Sequence, residues 1–380
     1  MAVEHFDVAV VGGGPVGAAL ALALGDTRFA VALIEARTTG GSAVDRRPLA
    51  LSYGSRLILE RLGAWDGLAR ATPIARIHVS QQGAFGRTVL TAAQADLPAL
   101  GYVVDYSGLV ALFDRSVAEA PIRAIRGARV RDIDSEGDRA RVQYETDAGA
   151  HACTASLVVV ADGASIETGT RVREYGQSAI TARVHTTRPH GNTAYERFTP
   201  EGPIALLPFA DEYALVWTVR TPEAEGLRAA AAHDFLECLH ERFGERLGRF
   251  TAVADRALHA LTLRVAEPTT RPRTIVIGNA AQALHPVAGQ GFNLGLRDAW
   301  ELAGEVCRRG VADDTLAGVY RSRRRVDRAG AVAFTDTLVR LFSNDWIPLE
   351  LARGVGLTLL DCVPPIKDFV VRRMVFGARG

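Results

Sequence analysis

The sequence predicts an α/β protein: a parallel sheet covered on both faces, an inserted antiparallel module and a mostly helical tail. Three observations carry this expectation. FDVAVV at 6–11 and LVVVA at 157–161 are apolar runs of the kind found in strands buried on both faces, and they stop at Gly12 and at Asp162-Gly163. After Gly176 the chain turns to short alternating pieces separated by turns. Ile275, Val276 and Ile277 then form another buried-type run that ends at Gly278 and opens a helix carrying Phe292, Leu296, Ala299, Leu302, Ala303 and Val306 at helical spacing.

With 380 residues, 48% hydrophobic and 23% charged, the chain can bury two substantial cores. The division expected is 1–75, 101–175 and 265–335 for the parallel-sheet unit, 76–100 and 176–264 for the antiparallel unit, and 336–380 for a C-terminal helical segment. A net charge of +1 argues against nucleic acid as a partner. RSRRRVDR at 321–328 is the one dense basic cluster, read as a solvated helix face, with anionic lipid or a cofactor phosphate as alternatives. Cys153, Cys238, Cys307 and Cys362 lack metal-ligand or disulfide-frame spacing, so no metal site is expected and a reducing cytoplasm fits best. Residues 8–25 are uncharged, but five glycines and a proline interrupt them, so neither a signal peptide nor a membrane span is expected. Lys367 is the chain's single lysine, which disfavours Schiff-base chemistry.

The first strand leads into Gly12-Gly13-Gly14-Pro15-Val16-Gly17 and an Ala/Leu-rich helix to Leu24. A second strand, 30–34, ends at Glu35, 18 residues past Gly17. GxGxxG between strand and helix, followed by an acid, is the setting of a Rossmann-like dinucleotide site. Gly12 allows the tight turn, Gly14 lets a pyrophosphate meet the backbone, Gly17 lets the helix pack on the strand, and Glu35 accepts from a ribose. A glycine-rich βα unit that binds nothing is the plainer alternative. Arg46 and Arg47 could reach cofactor phosphates.

An amphipathic helix is expected over 50–62, strands within 74–91, a helix over 109–118 and a hairpin over 128–144. In the second unit strands are expected at 179–184, 194–198, 204–208 and 213–219, then a covering helix over 224–243. Tyr213, Leu215, Trp217 and Val219 share one face. That face is read as core, or as a substrate wall together with Leu206, Pro208 and Phe209. A helix over 315–334 and the tail follow. The tail's apolar residues, Trp346 and Phe369 among them, serve domain packing, with contact to a membrane, a biosynthetic complex or a second copy left open.

Between Arg273 and Arg297 there is no Lys or Arg. Gly289 and Gly291 stand at a helix entrance, so a negative charge held there meets backbone dipoles, which suits a delocalised anion. A strand-to-helix connection with glycines for turning accounts for the same pattern.

Taken together, VVGGGPVG with Glu35, VVVADG, and GNAAQALHPVAGQGFNLGLRDA resemble the single-component FAD-dependent aromatic hydroxylases of the para-hydroxybenzoate hydroxylase type. Within that group the chain is most similar to the ubiquinone-biosynthesis hydroxylases acting on polyprenylated methoxyphenols, of the 2-polyprenyl-6-methoxyphenol hydroxylase type. RPLALSYGS, ERFTPEGPIALLPF and the tail extend the likeness end to end. Asn279 and Gln282, where the wider family carries Asp and His, are that subgroup's version. Two departures stand out: Ser165 displaces the serine usually found four residues after the aspartate, with no arginine following, and the Arg or Gln common near Leu109 is missing.

The resemblance implies that Gly12, Gly14, Gly17 and Glu35 hold the adenosine half of FAD and that Arg47 approaches its phosphates. It places Gly278 and Asn279 near the ribityl-pyrophosphate and Asp162-Gly163 at FAD and pyridine-nucleotide contacts. Pro286, Gly289, Gln290, Gly291 and Asn293 would line the isoalloxazine. The activity implied is reduction of FAD by NAD(P)H as a transient reductant, formation of a C4a-hydroperoxide with O2, and hydroxylation para to the hydroxyl of a lipid-tailed phenol. His285 is a base by proximity, or a structural histidine. A flavin dehydrogenase or reductase on the same scaffold, and a non-catalytic FAD-binding redox sensor, are the rivals. The expected location is cytoplasmic, or peripheral to the inner face of the membrane.

Overall fold

The computed structural model describes residues 3–38, 47–68, 70–163, 170–266, 271–283, 290–342 and 347–377. Arg46, Ser165, His285, Pro286, Gly289 and Trp346, all named above, lie outside the described residues.

The strands Arg123–Arg126, Val31–Glu35, Glu4–Val11 and Gly149–Val160 lie side by side in parallel, and Thr274–Val276 adds a parallel partner to the C-terminal end of Gly149–Val160. The hairpin Arg129–Glu136 and Arg139–Thr146 pairs antiparallel on the other half of that long strand. This sheet is buried on both faces. Val8, Val10, Leu157 and Val159 pack with the helices Pro15–Gly25, Tyr106–Glu119 and Gln290–Arg309, while Ala9, Val11, Val158 and Val160 pack with the hairpin. Such two-sided burial is why the strand sequences read as unbroken apolar runs.

A second sheet joins Arg76–Gln81 and Arg87–Thr91 to Thr193–Thr199, Gly202–Phe209, Glu212–Arg220, Thr170–Thr186 and Phe250–Ala266. Its strand Thr170–Thr186 starts ahead of Gly176, where the ladder slips between Glu174 and Ser178. One face is sealed by the helix Ala232–Phe243. Ile180, Leu206, Tyr213, Leu215 and Trp217 interdigitate there with Phe235, Leu239 and Phe243.

Two of the expected helices need correction. The stretch expected as helix from residue 50 is strand through Ser52 (Pro48–Ser52), and the helix is Tyr53–Arg61 with Ser52 as its N-cap, its hydroxyl accepting from the Ser55 N–H. β-sheet pairing with Gly101–Asp105 overrides local helical patterning here. The covering helix over 224–243 is two helices, Thr221–Ala229 and Ala232–Phe243, broken at Ala230-Ala231 in extended conformation. No residue in that alanine run signals the break.

The basic cluster is a solvated face only in part, with Arg321 and Arg325 exposed. On the helix Leu316–Phe342, Arg324 is buried and its Nε donates to Asp298 at 2.7 Å, while Arg323 reaches Glu301 and Glu305 and Arg328 donates to the Ala281 carbonyl. The tail forms the helices Ile347–Cys362 and Pro364–Phe376. Lys367 is spent on an ion pair with Asp361 at 2.9 Å. The cysteines are free. Among the described residues no helix is long and apolar enough to cross a membrane, and no group of His, Cys, Asp or Glu is placed to hold a metal.

Candidate active site

The carboxyl ends of the first sheet's strands open into a cavity of about 1470 Å³, which runs on to the uncovered face of the second sheet. A pocket for one small molecule holds roughly 300–1,000 Å³, so this space suits a dinucleotide and a second ligand together.

At the nucleotide end the three fingerprint glycines play three different parts. Gly12 has φ +101°, and a Cβ there would stand 2.5 Å from the Asp162 Cα. A Cβ on Gly17 would stand 1.9 Å from the Gly12 carbonyl oxygen, so the helix can seat on the strand only with glycine. A Cβ on Gly14 meets nothing within 4 Å, because that side of the residue faces the cavity. The helix it starts carries no side-chain cap and no acid in its first turn, leaving its terminal N–H groups for an anion. This cradle fits a pyrophosphate.

Glu35 is buried at the cavity edge. Its Oε2 accepts from the Gly13 N–H, and its Oε1 accepts from the Arg37 N–H at 2.8 Å and the Arg37 Nε at 3.1 Å. A carboxylate has about four acceptor sites, so one is left for a ribose hydroxyl. Arg47 lines the same end with its guanidinium 4.9 Å over the Tyr106 ring, and Asp162, Gly163 and Asn279 complete it. Gly278 sits just behind at φ +62°, its N–H donating to Asp298.

Farther along, Gly291 and Phe292 line the cavity at the start of Gln290–Arg309, as the helix-entrance reading expects. Asn293 and Gln290 do not line it. The Asn293 Oδ1 accepts from the Ser52 N–H at 2.8 Å and the Ser55 hydroxyl at 2.7 Å, and its Nδ2 donates to the Ala50 carbonyl at 3.1 Å. Its side chain locks the helix to the strand-helix junction rather than facing a ring.

On the second sheet three of the four residues expected at the substrate turn away from the cavity. Leu206, Pro208 and Trp217 occupy the helix-covered face, where Trp217 stacks edge-on to Phe235 at 5.5 Å. Phe209 is on the other face but packs with Ile74 and Val103 beside the cavity. Side chains alternate along a strand, so the wall is made by the neighbours of the expected residues: Ala205, Leu207, Ala214 and Val216, with Thr181 and Val79. The tail helix adds Arg353, Gly356, Leu357 and Leu360 at helical spacing.

Glu196 is the site residue that sequence reasoning missed. It lines the cavity between Ala194 and Phe198, its Oε1 is sealed from solvent without a hydrogen-bond partner, and burial pushes its carboxyl up to about 7. The signal was an acid sharing a strand face with two apolar residues.

Residues 5–335 match the FAD binding domain family. The chain is 35% identical over 391 residues to a ubiquinone hydroxylase of Rhodospirillum rubrum, covering 96% of this chain and 88% of that one. It is 31% identical over 381 residues to the 3-demethoxyubiquinol 3-hydroxylase of Escherichia coli, covering 95% and 96%. The chain belongs to the FAD-dependent hydroxylase family of ubiquinone biosynthesis. This hydroxylase shares its fold with the p-nitrophenol 4-monooxygenase of Pseudomonas putida, at a TM-score of 0.78 and 19% identity over 99% of this chain and 100% of that one. It is an FAD-dependent aromatic-ring monooxygenase.

Proposed function

We propose that this enzyme hydroxylates a polyprenylated methoxyphenol para to its hydroxyl, using NAD(P)H and O2. The observation that carries the reading is the continuity of the cavity from the Gly12–Gly14 loop to the alanine- and leucine-lined face of the second sheet. FAD, when bound, supplies hydride acceptance and oxygen activation. The chain's own residues bind, orient and exclude water. Gly12, Gly14, Gly17 and Glu35 hold the adenosine half, Arg47 approaches the phosphates, and Asp162, Gly163, Gly278 and Asn279 border the middle of the cofactor. The helix start at Gly291 directs its dipole toward the ring edge, where negative charge collects on reduction.

Ala179, Ala194, Ala205 and Ala214 keep the sheet wall shallow, which leaves room for an apolar ligand several carbons long. Leu351, Val355 and Leu359 stand exposed on the outer side of the helix whose inner side borders the cavity. That arrangement supports delivery of a lipid-tailed substrate from a membrane surface.

The test is anaerobic reduction of the purified yellow protein with NAD(P)H, followed by oxygen in the presence of a prenylated methoxyphenol, with the product analysed by mass. A product heavier by one oxygen atom is expected. Reoxidation that yields only hydrogen peroxide with every phenol offered would favour a flavin reductase instead.

A further inference from the structure

On the reading that a phenol enters this cavity, we propose that Glu196 receives the ring hydroxyl and takes its proton as the ring is oxygenated. Neither the sequence motifs nor the relatives' names assign this residue a part.

The placement comes from the register. Val79, Glu196, Ala205, Val216 and Thr181 are directly paired across five adjacent strands and form a single row on the cavity face. Within that row Glu196 is the sole ionisable group, a half-buried side chain that borders the cavity with its Oε1 sealed from solvent. Its neighbours on its own strand face are Ala194 and Phe198, and Phe198 packs with Val79 and Leu357 of the tail helix. An unpaired carboxyl in such a wall costs stability, and a fold keeps one where a ligand is to complete it.

On the second sheet and the tail helix the other charged groups bordering the cavity are Arg353, His259 and Arg264, and Glu35, Arg37, Arg47, Arg129, Arg131 and Asp162 border it from the first sheet's side. None is bonded to Glu196, and His259 is engaged with the Thr181 hydroxyl at 3.2 Å. Desolvation alone holds the carboxyl near neutrality, the range in which a general base combines availability with driving force.

The proton balance closes. The phenol O–H bond breaks, its electron pair stays on the phenol oxygen and feeds the ring position that takes up oxygen, and a new O–H bond forms on Glu196. The oxygen atom comes from O2 through the enzyme's monooxygenase chemistry. When the ring regains aromaticity, its C–H proton leaves to solvent and Glu196 returns its proton to the carbonyl oxygen, restoring the carboxylate.

The test uses holoenzyme, a prenylated methoxyphenol, and the Glu196→Gln and Glu196→Asp variants, with hydroxylated product followed across the neutral pH range. Wild-type activity should rise through about pH 7. Glu196→Gln should keep its flavin, lose product formation by about 10²-fold or more and lose that pH limb, while Glu196→Asp recovers part of the rate. A Gln variant with wild-type rate, or with the limb unmoved, overturns the assignment and leaves the hydroxylase reading standing. A wild-type enzyme that oxygenates no prenylated phenol overturns both. Should the Gln variant lose its flavin, Glu196→Asp carries the test: a shifted limb supports Glu196 as the titrating group, and an unmoved one overturns it.

Discussion

The Oδ1 of Asn293 accepts the hydroxyl hydrogen of Ser55 at 2.7 Å, joining residues 238 apart in the chain. The same amide holds the Ser52 N–H and the Ala50 carbonyl, so one side chain ties the central helix to the strand that borders the cavity at Leu49 and Ala50. Asn293→Ala would strand these buried groups, at about 1–3 kcal/mol for each left unpaired. The expected result is a denaturation midpoint lowered by the equivalent of about 2–4 kcal/mol, with weaker FAD binding. Asn293→Asp should not restore it, because a carboxylate cannot donate to Ala50. Unchanged stability in both variants would show the amide to be dispensable.

Gly14→Val and Gly17→Ala should separate binding from folding. The Gly14 side chain would project into open cavity, so that variant is expected to fold and to purify colourless. Even a methyl at Gly17 would collide with the Gly12 carbonyl oxygen, so that variant should lose fold and flavin together. Circular dichroism and the flavin-to-protein absorbance ratio decide it, and full flavin occupancy in folded Gly14→Val would remove the glycine from the pyrophosphate site.

How much of this could be read from residues alone depends on how local each cause is. The fingerprint glycines were legible because their spacing is itself local, although the contact that excludes a side chain at Gly12 comes from Asp162, just past the distant strand Gly149–Val160. The two faces of the second sheet were not: periodicity puts Leu206 and Trp217 on one side and Ala205 and Val216 on the other, but only the position of the helix Ala232–Phe243 decides which side is sealed. Apolarity misleads there, since the sealed face is richer in large side chains than the face left for a ligand. Arg324 read as solvated because its partner, Asp298, lies 26 residues away on another helix. Glu196 drew no reading at all for the same reason of missing tertiary context.

Asp298 is the centre of the second buried polar assembly. It accepts from Arg324 at 2.7 Å, from the Gln282 amide at 2.8 Å and from the Gly278 N–H at 3.3 Å, behind the turn that borders the cofactor end of the cavity. Removing one partner of a buried ion pair costs about 3–5 kcal/mol when the other charge stays desolvated and unpaired, and Asp327, 2.7 Å from Arg324, offsets only part of that here. Asp298→Ala should therefore unfold at much lower denaturant concentration, and Asp298→Ala combined with Arg324→Met should recover part of the loss. A double variant no more stable than the single one would show that the stranded arginine is not the source of the cost.

Substrate-free stability should carry the signature of Glu196. Its carboxyl is raised from the usual carboxylate range to about 7 in the folded state, so the folded protein holds a proton that the unfolded chain has released. Stability from this group is complete at acid pH and is lost as pH rises through that window. Glu196→Gln keeps the shape and removes the titration. The variant should match wild type near pH 4 and exceed it near pH 8, and a constant difference between the two across that range would contradict the raised value.

The two faces of the second sheet should separate stability from coupling. Leu206→Ala empties a packed core and should cost about 2–5 kcal/mol without altering how reductant is used. Ala205→Phe, one residue away, projects into the cavity and should change stability little, yet it occupies the space assigned to the substrate's tail. Burial of each CH₂ of that tail contributes ~0.8 kcal/mol, which positions the ring and expels water as well as adding affinity. A tail-less methoxyphenol should therefore stimulate NAD(P)H oxidation while losing much of the oxygen as hydrogen peroxide, and a prenylated one should couple reductant to product. Ala205→Phe should treat the prenylated substrate as wild type treats the tail-less one. The measurement is hydroxylated product per NAD(P)H consumed, at saturating phenol. Equal ratios for both phenols in wild type would take the tail out of the mechanism. Coupling lost in Leu206→Ala and kept in Ala205→Phe would put the substrate on the wrong side of the sheet.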